Sequence, residues 1–551
     1  MNDAVRKPTP PARSSFLTDL DRAGPFWAAA LGIASHAAAL GGGFVWLDHA
    51  HLEGGLALAP PGAFLSLFER GFAGTGFYRP LMALSLSLDR LVSAGPGFAH
   101  WVTLAFHATA AALLVVTGRA LAASPRAALF AGLIFAAHPL TSLVASAIAF
   151  RSEAMALVFL LALIVFHVRR RPVLAALSLA AGALSKETAW LLSPLFIIAL
   201  EVSAGQGTRP APSANKARRG LLLAEGIAFL TVCALHWLYA PAHRAEFPAL
   251  TFDQNLGTRL AAVGKGFLHI LWPFSDTLCD AFPASSSLSS LSLLGLACLF
   301  LLAITRFVAS TARWLLLLAL LPSLQLVPIM RWWSPHYFYI PLAFLALVVA
   351  GELDQRVRRP WPAVALSLVP LVALSSAASV RYRNDTALWA PEVRQQPACR
   401  EGHFYLGEVA RRASDLQSAV RHYARAVQPV PGVLAYVDEL AAYENLGAVS
   451  LALGRLAEAR TALEAALERA GEPERRRRVL YNLALVAFRA KDPLETARLL
   501  APEAEAVEPL APALLLRARA LHQLGREQEA ARMLRLLPVK SSTGEPLATL
   551  R

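Results

Sequence analysis

Between residues 26 and 380 the chain carries one long apolar stretch after another, and this limits the folds open to it more than any other feature. In hydrocarbon every backbone polar group must bond within its own segment, so apolar runs of about 20 residues read as membrane helices. About eleven such runs lie near 24–46, 99–121, 126–139, 152–168, 172–185, 187–202, 219–240, 287–307, 312–331, 337–352 and 361–380. The third to sixth are short. Charged residues make up only 16% of the chain, against about a quarter in an ordinary soluble domain. Past residue 380 charges recur every few positions, as on a solvated helical surface. The expected fold is all-α: a cytoplasmic tail (1–23), a multi-span membrane domain (24–380), a linker (381–398), a helical repeat domain (399–540) and a tail (541–551).

The net charge of +14 invites a nucleic-acid reading, but its clusters argue otherwise. Arg126, Arg169 to Arg171, Lys216 with Arg218 and Arg219, and Arg356 with Arg358 and Arg359 all fall in short connections between apolar runs. Such loops orient membrane proteins, so the charge is read as topology and no nucleic-acid partner is expected. Every cluster is cytoplasmic if the N-terminus is, and an odd number of spans then carries the C-terminal domain outside. Two long outer loops result, 47–98 and 241–286, each with an amphipathic stretch (81–92 and 260–270) suited to the membrane interface. Arginine far outnumbers lysine, and alanine and leucine abound. That is the bias of a GC-rich bacterial gene, so the expected location is a bacterial inner membrane with the C-terminal domain extracytoplasmic. The four cysteines show no CxxC spacing, which leaves a Cys279–Cys399 disulfide open and gives no zinc site by themselves.

From Cys399 onward the helical pattern repeats with a spacing near the ~34 residues of tetratricopeptide units. Small residues that let two helices approach recur at Gly407, Gly447, Ala484 and Ala518, at intervals of 40, 37 and 34 residues. Ala419, Ala459, Ala497 and Ala530 follow them in the second helix of each pair.

Ionisable side chains at a membrane cost several kcal/mol unless paired or solvated, which makes each a functional candidate. With the topology above, Asp48, His138, Arg151, Glu153, Lys186, Glu187, Arg331 and His336 all fall at the outer ends of spans, where one cavity could collect them. Asp48 ends the first run and precedes His49, His51 and Glu53; a carboxylate there suits a general base, or simply an acid that solvates a helix end. Lys186 and Arg151 suit a lipid-linked phosphate, although each has an acid beside it that could neutralise it. His100, Thr103 and His107 share one helical face and are expected to bond across helices. Asn384-Asp385-Thr386 matches a glycosylation acceptor, a short pattern that chance often supplies. No ligand spacing compels a metal.

Taken in order, the acid after the first run, Tyr78-Arg79-Pro80-Leu81, His100 with His107, His138-Pro139, Arg151-Ser152-Glu153, Ser185-Lys186-Glu187, Asp253-Gln254-Asn255, Tyr337-Phe338-Tyr339-Ile340-Pro341 and Trp389 form a recognisable series. The chain resembles the transmembrane and tetratricopeptide-repeat O-mannosyltransferases and their bacterial relatives, in the GT-C superfamily of membrane glycosyltransferases. The resemblance implies transfer of a sugar, mannose among the candidates, from a polyprenyl-phosphate carrier to a hydroxyl, often of protein Ser or Thr, on the extracytoplasmic side. Asp48 would then be the catalytic base. Lys186, Arg151 and His336 would hold the donor phosphate, with Glu153, Glu187, His138 and Arg79 in support. The partners implied are the bilayer, the lipid-linked donor and a protein engaged through the repeats; no cofactor is required, and the need for a divalent cation stays open. The chain departs from the pattern where relatives show a second acid (here His49), an acid after His-Pro (Leu143), an Asn between the histidines (Thr103) and an Arg before the Tyr motif (His336). These changes are compatible with another donor or acceptor, or with lost activity. The alternative from another class is a non-catalytic membrane-anchored scaffold, in which polar residues at the outer ends would have no reason to converge; a transporter would keep its polar groups near the membrane midplane.

Overall fold

The computed structural model describes residues 22–204, 212–240, 250–274, 277–304, 310–326, 331–357, 360–506 and 509–537. Nearly all of the expected N-terminal tail, part of the second outer loop and the whole of the C-terminal tail lie outside these residues. The fold is all-α, and the chain divides into two compact units, 1–388 and 389–551.

In the first unit a helix stands at every apolar run. Six helices are long and apolar enough to cross a membrane: Pro96–Ala120, Ile148–Val168, Glu187–Ala204, Asn215–Tyr239, Pro335–Arg356 and Trp361–Arg383. At about 1.5 Å per residue, the 25 residues of Pro96–Ala120 exceed the ~30 Å of a hydrocarbon core. Pro125–Ala137 and Pro139–Ser146 form a seventh span if read together, bent by 57° where Pro139 interrupts the backbone bonding. The helices Pro172–Ser185 and Ser290–Ile304 are shorter, with 14 and 15 residues. Large apolar side chains stay exposed on these helices, including Leu177, Leu223, Leu230, Leu366 and Val369, which is the composition of a lipid-facing surface. The architecture is that of a multi-pass membrane protein.

The first run corrects the expectation. Its helix, Gly24–His36, gives way to a 3-10 turn, Ala37–Gly41, and then to extended chain. Gly41, Gly42 and Gly43 follow one another there, and each weakens a helix by about 1 kcal/mol. Residues 44–46, expected inside the span, are therefore in a loop. The amphipathic stretch 260–270 also departs from a purely interfacial role. It belongs to the helix Phe252–Leu271, started by a Thr251–Gln254 capping box, and crosses Ser290–Ile304 at backbone contact. A Cβ at Gly264 would lie 2.1 Å from the Leu291 carbonyl oxygen, and one at Gly295 2.0 Å from that of Leu260.

Polar groups buried between the spans are satisfied across helices. His36 reaches Ser379 Oγ and Thr141 Oγ1, each at 3.0 Å. His107 pairs with the Tyr339 hydroxyl at 2.9 Å and the Ala136 carbonyl at 3.3 Å. His100 Nε2 lies 3.1 Å from the Gly43 carbonyl, which ties the glycine loop to the long second span.

The second unit is an array of helix pairs: Arg400–Arg412 with Leu416–Val427, Glu439–Ala452 with Leu456–Arg469, Pro473–Arg489 with Pro493–Leu499, and Ala511–Gln523 with Glu527–Arg535. Each pair turns through one left-handed residue: Ser414 (φ 61), Gly454 (φ 75), Lys491 (φ 61) and Gly525 (φ 73). The residue after each donates its N–H five positions back, to Ala410, Ser450, Ala487 and Leu521, closing the helix end in the same way four times. Those turns are spaced by 40, 37 and 34 residues, the spacing of the small residues Gly407 to Ala518. Close approach explains the small residues, since a Cβ at Gly447 would lie 2.5 Å from Leu463 Cγ. Ala459 and Ala419 are fully buried. Ala459→Leu should overpack its pair and cost about 1–3 kcal/mol, as should Ala419→Leu. Unchanged thermal unfolding in both variants would show that the repeat register is wrong.

Candidate functional site

The loop after the glycines carries the first part of the site. Trp46 takes a left-handed backbone (φ 55), unusual for so large a side chain. Its N–H donates to Asp385 Oδ1 at 2.8 Å, which helps hold it there. The next turn is π-helical, His49–Glu53, a form that often marks functional sites. Asp48, just before it, is fully buried. Its Oδ1 accepts from the Ala149 amide at 2.7 Å and its Oδ2 from the Val45 amide at 3.3 Å. Burial pushes its carboxyl up to about 7, although both amides and the nearby His49 pull it down. Asp385 adds a further upward push, so the two acids sense each other. His51 is buried beside Phe72, and burial, with the Arg79 charge, lowers its imidazole to about 3.

Sequence reasoning missed Asp385. Asn384-Asp385-Thr386 was notable only as a glycosylation pattern, but Asn384 Oδ1 accepts from the Ala387 amide at 2.9 Å and so caps a helix start. Asp385 Oδ2 lies 2.7 Å from His49 Nε2, and His49 Nδ1 lies 2.5 Å from Glu53 Oε2. The available signal was positional: with the expected topology, an acid directly after the last apolar run falls on the same side as Asp48.

The second part of the site is a set of paired charges. Lys186 occupies an extended break between Pro172–Ser185 and Glu187–Ala204, with its ammonium 2.7 Å from Glu153 Oε1. His336 Nε2 approaches the same oxygen at 3.8 Å, and its Nδ1 lies 2.6 Å from Ser334 Oγ. Arg79 grips Glu187 with Nε at 3.0 Å and Nη2 at 2.8 Å, and its guanidinium lies 4.3 Å from the Phe77 ring centre. Aromatic rings join the two parts. Phe150 packs against Trp46 at 4.7 Å and against His336 at 4.9 Å, while the Arg331 guanidinium sits 5.3 Å from the Trp46 ring centre.

The expected residues thus separate into two groups. Trp46 and Phe150 connect Asp48 with His336, Glu153 and Lys186, and Arg79 with Glu187 stands within electrostatic reach of Glu153. Arg151 also lies within electrostatic reach of Asp48, but its hydrogen bonds are made elsewhere. Its guanidinium is fully buried and donates to Thr103 Oγ1 (3.0 Å), Ser85 Oγ (2.8 Å) and the Ala99 carbonyl (2.7 Å), and it pairs with Asp89 at 2.5 Å. So committed, it holds helices together and has little left for a phosphate. His138 is also spent, with Nε2 3.0 Å from the Ile270 carbonyl and Nδ1 accepting from the Leu140 amide at 3.2 Å.

Chemically, the first part holds acids able to take a proton. The second holds cations able to meet a phosphate, since an ammonium has three donors and Lys186 places one on Glu153. Among the described residues no three His, Cys, Asp or Glu side chains take the geometry of a metal site. Neither the protein-family models nor the curated proteins contain a match to this chain.

Proposed function

We propose that the chain is a GT-C-type membrane glycosyltransferase, which moves a sugar from a polyprenyl-phosphate carrier to an acceptor hydroxyl, a protein Ser or Thr among the candidates. One observation carries this reading: Asp48 and Asp385 lie in a site that Trp46 and Phe150 connect to His336, Glu153 and Lys186. Sugar transfer needs a base where the hydroxyl loses its proton and a cation where the phosphate leaves. Asp48 is the base in this reading, and Lys186 meets the phosphate by releasing or sharing Glu153. Arg79 and Glu187 brace the loop beside it, and the helix-pair array, of tetratricopeptide type, presents the acceptor. A membrane-anchored scaffold would need the repeats but not this grouping of acids and cations.

The test is transfer by the purified protein from lipid-linked sugars, with the product mass read directly. Loss of transfer with every donor class would favour the scaffold. The reading also requires the site and the repeats to face the extracytoplasmic side. A reporter active only outside the cytoplasm, fused after Arg551, should therefore be active; a silent reporter would reverse the topology.

A further inference from the structure

We propose that Asp385, His49 and Glu53 form an outlet through which the proton taken from the acceptor leaves the site. The inference rests on the transferase reading and adds to it a route and three residues. Its starting point is burial. Asp48 is fully buried, and a base closed off from water must hand its proton on before it can act again.

The three side chains offer a continuous path. Asp385 Oδ2 and His49 Nε2 are 2.7 Å apart, and His49 Nδ1 and Glu53 Oε2 are 2.5 Å apart. Side-chain exposure rises along it, from 6% at Asp385 to 15% at His49 and 41% at Glu53. Asp385 belongs to the same site as Asp48, because the two acids bind the adjacent amides of Trp46 and Val45. An imidazole with a carboxylate at each nitrogen can accept a proton on one side while it gives one up on the other. The path also gives a role to His49, which occupies the position where the resemblance leads one to expect a second acid.

The step balances as follows in this scheme. The acceptor oxygen forms its bond to the anomeric carbon, and the bond from that carbon to the carrier phosphate breaks, the phosphate leaving with the electron pair. The hydroxyl proton passes to Asp48, and in this scheme a water relays it from there to Asp385, the acid on the adjacent amide. Asp385 delivers a proton to His49 Nε2, His49 releases its Nδ1 proton to Glu53, and Glu53 gives it to water.

The experiment measures transfer by the full-length protein and by His49→Ala, His49→Gln and Glu53→Gln, each with and without a small proton carrier. His49→Ala should lose at least about 10-fold in turnover, with KM for the donor little changed, and added imidazole should restore part of the rate. Glu53→Gln should lose less and respond to formate. His49→Gln keeps a side chain of similar reach whose amide can donate to Asp385, yet it cannot pass a proton; it should fold like the parent, lose as much as His49→Ala and ignore imidazole. Parent-like turnover in a folded His49→Gln overturns the outlet, as does an inactive, folded His49→Ala that imidazole fails to rescue, because a bracing role would not respond to a carrier. A parent without transfer activity would instead remove the transferase reading, and the outlet with it.

Discussion

Asp48→Asn should lower the rate of sugar transfer by about 10²–10⁴-fold, the usual worth of a positioned general base. Asparagine keeps the shape of the side chain, and its Oδ1 can still accept from the Ala149 amide that Asp48 holds at 2.7 Å. Donor binding should therefore survive, whereas Lys186→Ala should weaken donor binding, because the cation facing the phosphate is gone. The pH dependence follows from burial, which raises the Asp48 carboxyl to about 7. Only the ionised form can take a proton, so the parent's rate should climb as pH rises through about 7. The same shift acts on stability with the opposite sign. Folding favours the protonated carboxyl, and that contribution is complete below the unfolded value of about 4 and lost as pH passes about 7. Asp48→Asn, with no charge to bury, should gain thermal stability relative to the parent above pH ~7 and lose that advantage in acid. Full activity in the variant would take Asp48 out of the mechanism.

The second large effect is on folding. Arg151 and Asp89 are both buried, and their 2.5 Å pair links the start of the Arg151–Val168 helix to the Pro80–Val92 helix. Burial pushes the Asp89 carboxyl up, and the Arg151 charge pulls it back down. Removing the cation leaves that acid buried without its counter-charge, together with Thr103, Ser85 and Ala99 oxygens that lose a donor. Arg151→Leu should cost about 3–5 kcal/mol, the range for breaking one half of a buried pair. Arg151→Leu combined with Asp89→Leu should recover much of the loss, because two neutral side chains need no counter-charge. Unfolding of parent, single and double variants in the same detergent measures both. If Arg151→Leu folds like the parent but no longer binds the donor, Arg151 belongs with the phosphate after all.

Local chemistry made much of this architecture legible from the sequence. Apolar runs specify helices in lipid whatever their neighbours are, so a helix stands at each run, and the glycine triplet at 41–43 carries the signal that ends the first one early. The repeat spacing was equally readable, because the small residue and the left-handed turn of each pair are local requirements that recur at 40, 37 and 34 residues. The sequence also singled out the polar side chains at the ends of the apolar runs, since burying any of them is costly. Which of them meet was decided only by tertiary structure. Arg151 and Lys186 look alike as cations beside an acid at a helix end, yet one is enclosed by Asp89, Ser85 and Thr103 and the other stands with Glu153 and His336. Asp385 reaches His49 across 336 residues of chain. Periodicity records the face a side chain takes on its own helix; which distant segment covers that face depends on how the helices pack, and that packing supplies the partner that makes a buried charge affordable.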